Sequence, residues 1–311
     1  MSGTDRPHLI EADDGHLYVV KPASSSRARR TLVNEVLASA FFSALEILSP
    51  EISYVSVDSD FASTIEPDCS AGGRLVAGLH FGSRYPAPLR DPPVLDHPPK
   101  GRLSKIWNRD HFLGTLVLDR WTAHADVRQA IFFQAEVRLN SISQGVQWVA
   151  AMVDNGEILQ GSDWTFTDSE VQGIYPWKEV YGADLRRSDF GPWLGRLESL
   201  QPSMIEELIA IMPRDWIAGQ ESQLSDLLKR LFARRDRTPQ LVTQSVRVIQ
   251  AAFRTHVSKA VGLCGVARIP LRPRLSVFQP AAPCTPLGRY NSLDTRPKNH
   301  LALPRGAFSP D

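Results

Sequence analysis

The sequence predicts an α+β chain in two lobes, the first mainly β and the second mainly α, followed by a basic tail. Three observations carry this reading. Short alternating runs flank a tight turn near the N-terminus, as in a small sheet. A proline-rich break then gives way to a succession of helical patterns. Charge also divides along the chain: residues 237–311 hold 11 Lys/Arg against 2 Asp/Glu, while residues 1–236 hold 24 against 32.

A chain of 311 residues with 42% apolar content can bury one substantial core, or a two-lobed one, together with a tail. No apolar run approaches the roughly 18 residues of a membrane span, and Met1-Ser2-Gly3-Thr4-Asp5 lacks the basic-then-apolar order of a secretory signal, so a cytoplasmic protein is expected. Cys69, Cys264 and Cys284 are widely spaced and odd in number, which suggests free thiols rather than a disulfide framework or a zinc site.

The first elements are His8–Ala12 and Leu17–Lys21, two strands joined by Asp13-Asp14-Gly15-His16, a hairpin under which a nucleotide has room to lie. Residues 27–45 place Leu32, Val33, Val36, Leu37, Ala40 and Phe41 at helical spacing, with Asn34 and Glu35 interrupting the apolar face, and Pro50 marks the exit. Ile52–Val57 alternates as a strand, and residues 74–85 read as a further extended segment. Six prolines within residues 86–99 mark a connection. Beyond it, an apolar helix over residues 108–121 delivers the polar stretch Thr122–Gln129, then two strands, 130–139 and 147–153, the second running into Asp154-Asn155-Gly156. Helices are expected near residues 170–181, 192–200, 202–211 and 221–235. The resulting domain reading is 7–85 for the first lobe, 86–100 for the connection, 101–236 for the second lobe and 237–311 for the tail.

Four charged residues stand in a telling order: Lys21 ends a strand, Glu35 lies in the next helix, Asp126 sits in a polar break and Asp154 opens a sharp turn. Transfer of a phosphoryl group from ATP needs little besides positioned charge, and this series offers a cation for phosphates, a carboxylate to hold that cation, an aspartate for the acceptor hydroxyl and an aspartate for magnesium. Glu35 is the sharpest of the four, because a carboxylate on an apolar face is costly unless a cation meets it, and Lys21 is the natural candidate. Asp126 is equally an ordinary turn residue after a helix, and Asp-Asn-Gly is equally a tight hairpin turn.

The segments Tyr18-Val19-Val20-Lys21, Leu32-Val33-Asn34-Glu35-Val36-Leu37-Ala38, Gly78-Leu79-His80-Phe81-Gly82-Ser83, Trp121–Phe132 and Val153-Asp154-Asn155-Gly156 closely resemble HipA-like kinase domains. The chain is most similar to the compact bacterial members, which are related to the HipA toxin kinases and distantly to phosphatidylinositol kinases, and the resemblance covers about residues 7–236. It implies a two-lobed protein-kinase-like fold that uses ATP and Mg2+. In that frame Lys21 binds phosphates, Glu35 orients it, Asp126 is catalytic and Asp154 is the metal ligand. The expected acceptor is the hydroxyl of a protein serine or threonine.

The sequence departs from the pattern of this broad class at one important place. A second metal-ligating asparagine is expected five residues after the catalytic aspartate, where this chain has Ile131, and Gln129 is the candidate substitute. His124 stands where relatives show asparagine and is read as a packed or loop-capping residue. By analogy with the toxin kinases, His80, Ser83 and Arg84 mark a segment near phosphates with Ser83 or a nearby hydroxyl as an autophosphorylation site. Two other functions remain open: a catalytically inactive nucleotide-binding or interaction module, and a kinase acting on a small molecule or lipid headgroup. The tail has nine prolines and one helical stretch near residues 240–260; past Leu263 it is expected to be largely disordered, with nucleic acid or an acidic protein as a possible partner.

Overall fold

The N-terminal region of the computed structural model, which describes residues 7–65, 75–86, 94–139 and 142–261, is built on a four-stranded antiparallel sheet. Strands β1 (His8–Glu11) and β2 (Leu17–Lys21) form the expected hairpin, with Leu9 opposite Val19. Its turn closes because Asp14 accepts hydrogen bonds from the His16 backbone N–H at 2.9 Å and the Tyr18 hydroxyl at 2.8 Å, while Gly15 supplies a positive φ of 77°. Strands β3 (Ile52–Val57) and β4 (Gly78–Arg84) complete the sheet in the order β1-β2-β4-β3. Alternation along β2 sends Tyr18 and Val20 into a small core with Val57, Ala62 and Leu75, and puts Lys21 on the opposite face in line with Phe81 and Tyr54.

Helix α1 (Ser26–Ala44) packs against residues 158–163, residues 214–217 and the helix over residues 111–122. Ser25 caps it, its side chain accepting from Ala28 N–H, and Leu32, Val33, Val36, Leu37, Phe41 and Phe42 are all buried. Each such side chain contributes roughly 1.5–3 kcal/mol by leaving water, so α1 anchors the core. A one-turn helix α2 (Ser59–Thr64), with Asp58 as its cap, follows β3 and has no sequence-based counterpart above. The extended segment expected from Arg74 begins at Gly78, and part of the proline-rich stretch, residues 87–93, lies outside the described residues.

Helix α3 (His111–Thr122) comes next and then a long two-stranded hairpin, β5 (Gln129–Leu139) and β6 (Ile142–Val153). The second strand starts earlier than the alternation predicts, since its first half is largely exposed and polar and carries no burial pattern to read. The buried Asn108 side chain bonds both the N–H and the C=O of Ala150, and Leu95 exchanges two backbone hydrogen bonds with Phe132, so the hairpin is held from both edges.

The C-terminal part is helical: α4 (Gly191–Ser199), α5 (Met204–Ala210), the short α6 (Arg214–Ile217), α7 (Glu221–Ala233) and α8 (Thr238–Val261). No regular α-helix forms over residues 170–181. Gly173, with φ 71°, lies so close to Asp119 that any Cβ there would stand 2.3 Å from the Asp119 Cβ, and only a single 3-10 turn, Lys178–Val180, appears. The boundary placed at residue 237 also falls within continuous packing: Thr238, Leu241, Val242, Ser245, Val246 and Ile249 are buried, and the first compact unit of the chain ends at Phe253. The expectation of disorder past Leu263 concerns residues outside those described.

Trp121 joins three helices, packing edge-on to Phe41 of α1 at 4.8 Å and to Phe232 of α7 at 5.8 Å while its Nε1 donates to the Leu231 carbonyl. On the other side of α3, Gly114 accommodates the Trp193 indole, whose nearest atoms would lie 2.4 Å from any Cβ. Gly114→Val is therefore expected to destabilise the fold by about 2 kcal/mol through overpacking, read as a lower urea midpoint with unchanged slope. A midpoint equal to that of the native sequence would show that Trp193 has room to move.

Candidate active site

Lys21 is the last residue of β2, so the strand fixes the position of its stem and leaves the ammonium at the sheet's end. Its Nζ donates to Glu35 Oε1 at 2.5 Å and to Asp154 Oδ1 at 2.7 Å, across 133 residues of sequence in the second case. Glu35 is buried and also accepts the Asn155 backbone N–H at 3.1 Å, so one carboxylate joins the lysine to the loop that carries Asp154. Burial alone would push the Lys21 pKa down; the charges of Glu35 and then Asp154 reverse this and raise it above the ordinary lysine value. For Asp154 burial acts upward, but the charge and hydrogen bond of Lys21, with further help from His124 and Arg128, hold its carboxyl below the usual range.

Asp154 sits at φ 56°, a left-handed conformation that costs a non-glycine residue energy. Such residues gather here. Among the described non-glycine residues with positive φ, Ala123, Asp154, Leu159, Gln160 and Trp164 belong to this site and its loops, and Glu46 is the exception. What stabilises the loop is Asn34, one position before Glu35 and fully buried. Its Nδ2 donates to the carbonyls of Gly156, Ile158 and Gly161 at 2.7–2.9 Å, and its Oδ1 accepts from Trp164 Nε1 at 3.1 Å. Arg30, one turn earlier, lies over the Trp164 ring and donates to the Ser162 carbonyl.

A second buried system supports the same loop from beneath. Arg128 pairs with Asp119 through two nitrogens, both side chains being wholly buried, and its remaining nitrogen donates to Asn155 Oδ1 at 2.6 Å and to the Val153 carbonyl at 3.3 Å. A buried pair of this kind is costly to break because one charge is left alone. Asp119 lies in the last turn of α3, Ala123 turns the chain left-handed, and the buried His124 bonds the Asp126 carbonyl through Nδ1 at 3.0 Å. His124 is thus a loop-capping residue, and burial with the nearby Arg128 charge keeps it neutral.

Asp126 itself is exposed, with Oδ1 accepting from the next backbone N–H at 2.6 Å. No hydrogen bond joins it to Lys21 or Asp154 among the described residues. It is linked to them through Glu157, whose carbonyl accepts from Ala125 N–H and whose carboxyl pKa is pushed up by burial and then by the charges of Asp126 and Asp154. Gln129 opens β5 and donates its Nε2 to Asp154 Oδ2 at 2.7 Å, leaving its carbonyl oxygen without a hydrogen bond among the described residues. Ile131 packs beside Phe133, Val149 and Ala151 and has no ligand chemistry to offer.

The His80 segment is committed to contacts within the sheet and its neighbours. His80 is buried, its Nδ1 accepts from Ala23 N–H at 3.0 Å and its Nε2 bonds the Val76 carbonyl at 2.7 Å, so both ring nitrogens are committed to backbone. Ser83 pairs with Val19 and Ile52 inside the sheet, and Arg84 is taken by Glu51 at 2.7 Å. Among the described residues no group of three His, Cys, Asp or Glu forms a ready-made metal cage.

Residues 1–99 match the model of a family described as HipA-like kinase. The matched segment contains Lys21 and Glu35 and ends before Asp126, Gln129 and Asp154. No curated protein and no solved structure matches the chain.

Asn34→Leu keeps the branched shape of the side chain but strips three carbonyls and one indole N–H of their partner, so a loss of about 3 kcal/mol in stability is expected, measurable by chemical denaturation; a loss below about 1 kcal/mol would show that water replaces the amide. A pH dependence follows from the buried histidines. His80, His111 and His124 all have folded pKa values depressed, chiefly by burial, below the ordinary 6.5. The unfolded chain takes up protons first, so their contribution is complete above that value and is lost as pH falls below it. Unfolding free energy is expected to decline between about pH 7 and about pH 5, and a flat profile would mean that these rings titrate alike in the folded and unfolded chain.

Proposed function

We propose that this protein is an ATP-dependent phosphotransferase on a two-lobed kinase-like frame, with the sheet and α1 as a nucleotide-binding lobe over residues 7–85, a connection over 86–100, and a catalytic lobe from residue 101 that takes in α8 as far as Phe253. The observation that carries the reading is the convergence of Lys21, Glu35 and Asp154 from three separate elements onto one ion-paired cluster. An ammonium fixed between two carboxylates at the end of a strand is placed for phosphate oxygens, and the family match over residues 1–99 supports that use.

The donor set suits a hard cation. Asp154 offers carboxylate oxygens that each keep a lone pair beyond the hydrogen bonds seen, its side chain is 42% exposed, and the Gln129 carbonyl stands beside it. Asp154 and Gln129 would hold magnesium, which when bound neutralises charge on the phosphates. Lys21 orients the phosphate chain, and Glu35 keeps Lys21 from folding onto solvent. Asp126, exposed and fixed by His124 through the loop backbone, receives the proton of the attacking hydroxyl. The reading extends to a protein serine or threonine as acceptor.

Ile131 favours a second reading, an inactive module that binds nucleotide without transferring phosphate, because the strand and its apolar neighbours remove the usual second oxygen ligand. Incubation with magnesium and γ-labelled ATP separates the two. Transfer of label to protein, reduced at least about a hundredfold by Asp126→Ala and by Asp154→Ala, is expected. ATP binding with no label on any acceptor would establish the module, label on a metabolite would move the acceptor to small molecules, and full activity in both variants would refute the assigned roles.

A further inference from the structure

Past the Asp154 loop, the chain crosses a group of arginines that has too few carboxylates. Arg234, at the start of the 3-10 turn after α7, is 7% exposed; it donates to the carbonyls of Arg120 and Trp121 and pairs with Asp168 at 2.5 Å. Arg237 reaches the other oxygen of the same Asp168 at 3.3 Å. Arg120, on α3, is fully buried and pairs directly with no carboxylate among the described residues. It donates to the Ser169 carbonyl and to the side-chain oxygens of Gln172 and Gln244, and its Nε has no hydrogen-bond partner among the described residues. Arg230 and Arg234 both lie near the Phe166 ring. Glu170 is the one other acid that acts on Arg120, and at longer range. Arg234 and Arg237 thus share the one carboxylate of Asp168 and Arg120 pairs with none among the described residues, so positive charge is in excess at a site where two of the arginines are out of water.

Such a surplus is stable when a dianion completes it, and the adjoining segment supplies a place to attach one. Ser169 lies between Asp168 and Glu170. Its backbone is pinned on both sides, the carbonyl by Arg120 and the N–H by Gln172 Oε1 at 3.0 Å, while the residue is exposed and its hydroxyl makes no hydrogen bond among the described residues. We propose that Ser169 is a phosphorylation site and that Arg120, Arg234 and Arg237 form the receptor for its phosphate. A phosphoserine carries about −1.5 to −2 charges near neutral pH, the sign that this group of arginines lacks.

The transfer is balanced with a nucleoside triphosphate as donor. The bond from the γ-phosphorus to its bridging oxygen breaks, a bond from that phosphorus to Ser169 Oγ forms, the hydroxyl proton is released and the nucleoside diphosphate leaves. The donor enzyme is either this chain or another kinase, so the inference does not rest on the transferase reading above. Its effect would pass to the active site by a short path. Gln172 and Gln160 both donate to the Thr167 carbonyl, and Gln160 also donates to the carbonyl of Ala123, where the chain turns toward Asp126. Ordering residues 165–172 therefore orders the loop that presents the proposed acceptor aspartate.

The test uses the full chain with phosphoserine encoded at position 169, compared with unmodified protein by hydrogen exchange. Backbone amides of residues 165–172 are expected to exchange about tenfold more slowly when the phosphate is present, as one new charge-assisted hydrogen bond would produce. Arg237→Ala, a change at a side chain that is 62% exposed and safe for folding, is expected to remove most of that protection. Exchange that is unchanged or faster with phosphoserine would overturn the proposal, as would equal protection with and without Arg237.

Discussion

A single ammonium group between two carboxylates sets the terms for the rest of this molecule. Lys21 reaches Glu35 and Asp154 at once, and its own strand, the α1 helix and the loop after β6 must all be in register for that to happen. The arrangement is unequal in charge, one cation against two anions, and it lies at the edge of the core rather than deep inside it. A buried carboxylate left alone is costly; that of Glu35 is met by the Lys21 ammonium and the Asn155 N–H. The cluster therefore works as a joint between the sheet and the residues that follow the second hairpin.

Helix α1 is the element that makes the joint rigid. From one helix face Arg30 holds Ser162 and Trp164, Asn34 holds three loop carbonyls, and Glu35 holds Lys21 and Asn155, all within about two turns. The opposite side of the same helix is packed in the core against Trp121 and its neighbours. Polar residues on a buried helix are usually a cost; here nearly every polar atom has a partner on one loop, and the helix and loop define each other. The Arg128–Asp119 pair supports that loop from below, so Asp154 is fixed by two independent networks.

Much of this was legible in the sequence, and for identifiable reasons. The β1–β2 hairpin, α1, β3, α3, α4, α5, α7 and α8 follow from period and turn residues, the short α6 does not, and the value of Glu35 follows from a charge on an apolar face. Asn34 carried the same signal, a polar residue breaking an apolar run, but an amide can bond almost anything, so its partner was not readable. Asp119 likewise interrupted Leu116-Val117-Leu118, and nothing in the spacing pointed it to Arg128. The helix expected over residues 170–181 failed because Gly173 and Asp119 meet too closely for a regular turn, a contact between segments some fifty residues apart that no local pattern encodes. The tail boundary failed for a related reason: composition changes at residue 237, but α8 continues to bury apolar residues for four further turns.

The left-handed residues that surround the site, from Ala123 to Trp164, have one further consequence. Each stores roughly 1–3 kcal/mol in the native state, released as soon as the backbone is free to relax. The assembled loop resembles a set spring whose latch is Asn34 and Glu35. On warming, the loop that carries Asp154 would melt as a separate unit while the helical body persists, giving an intermediate with intact far-ultraviolet dichroism and no Lys21–Asp154 pairing.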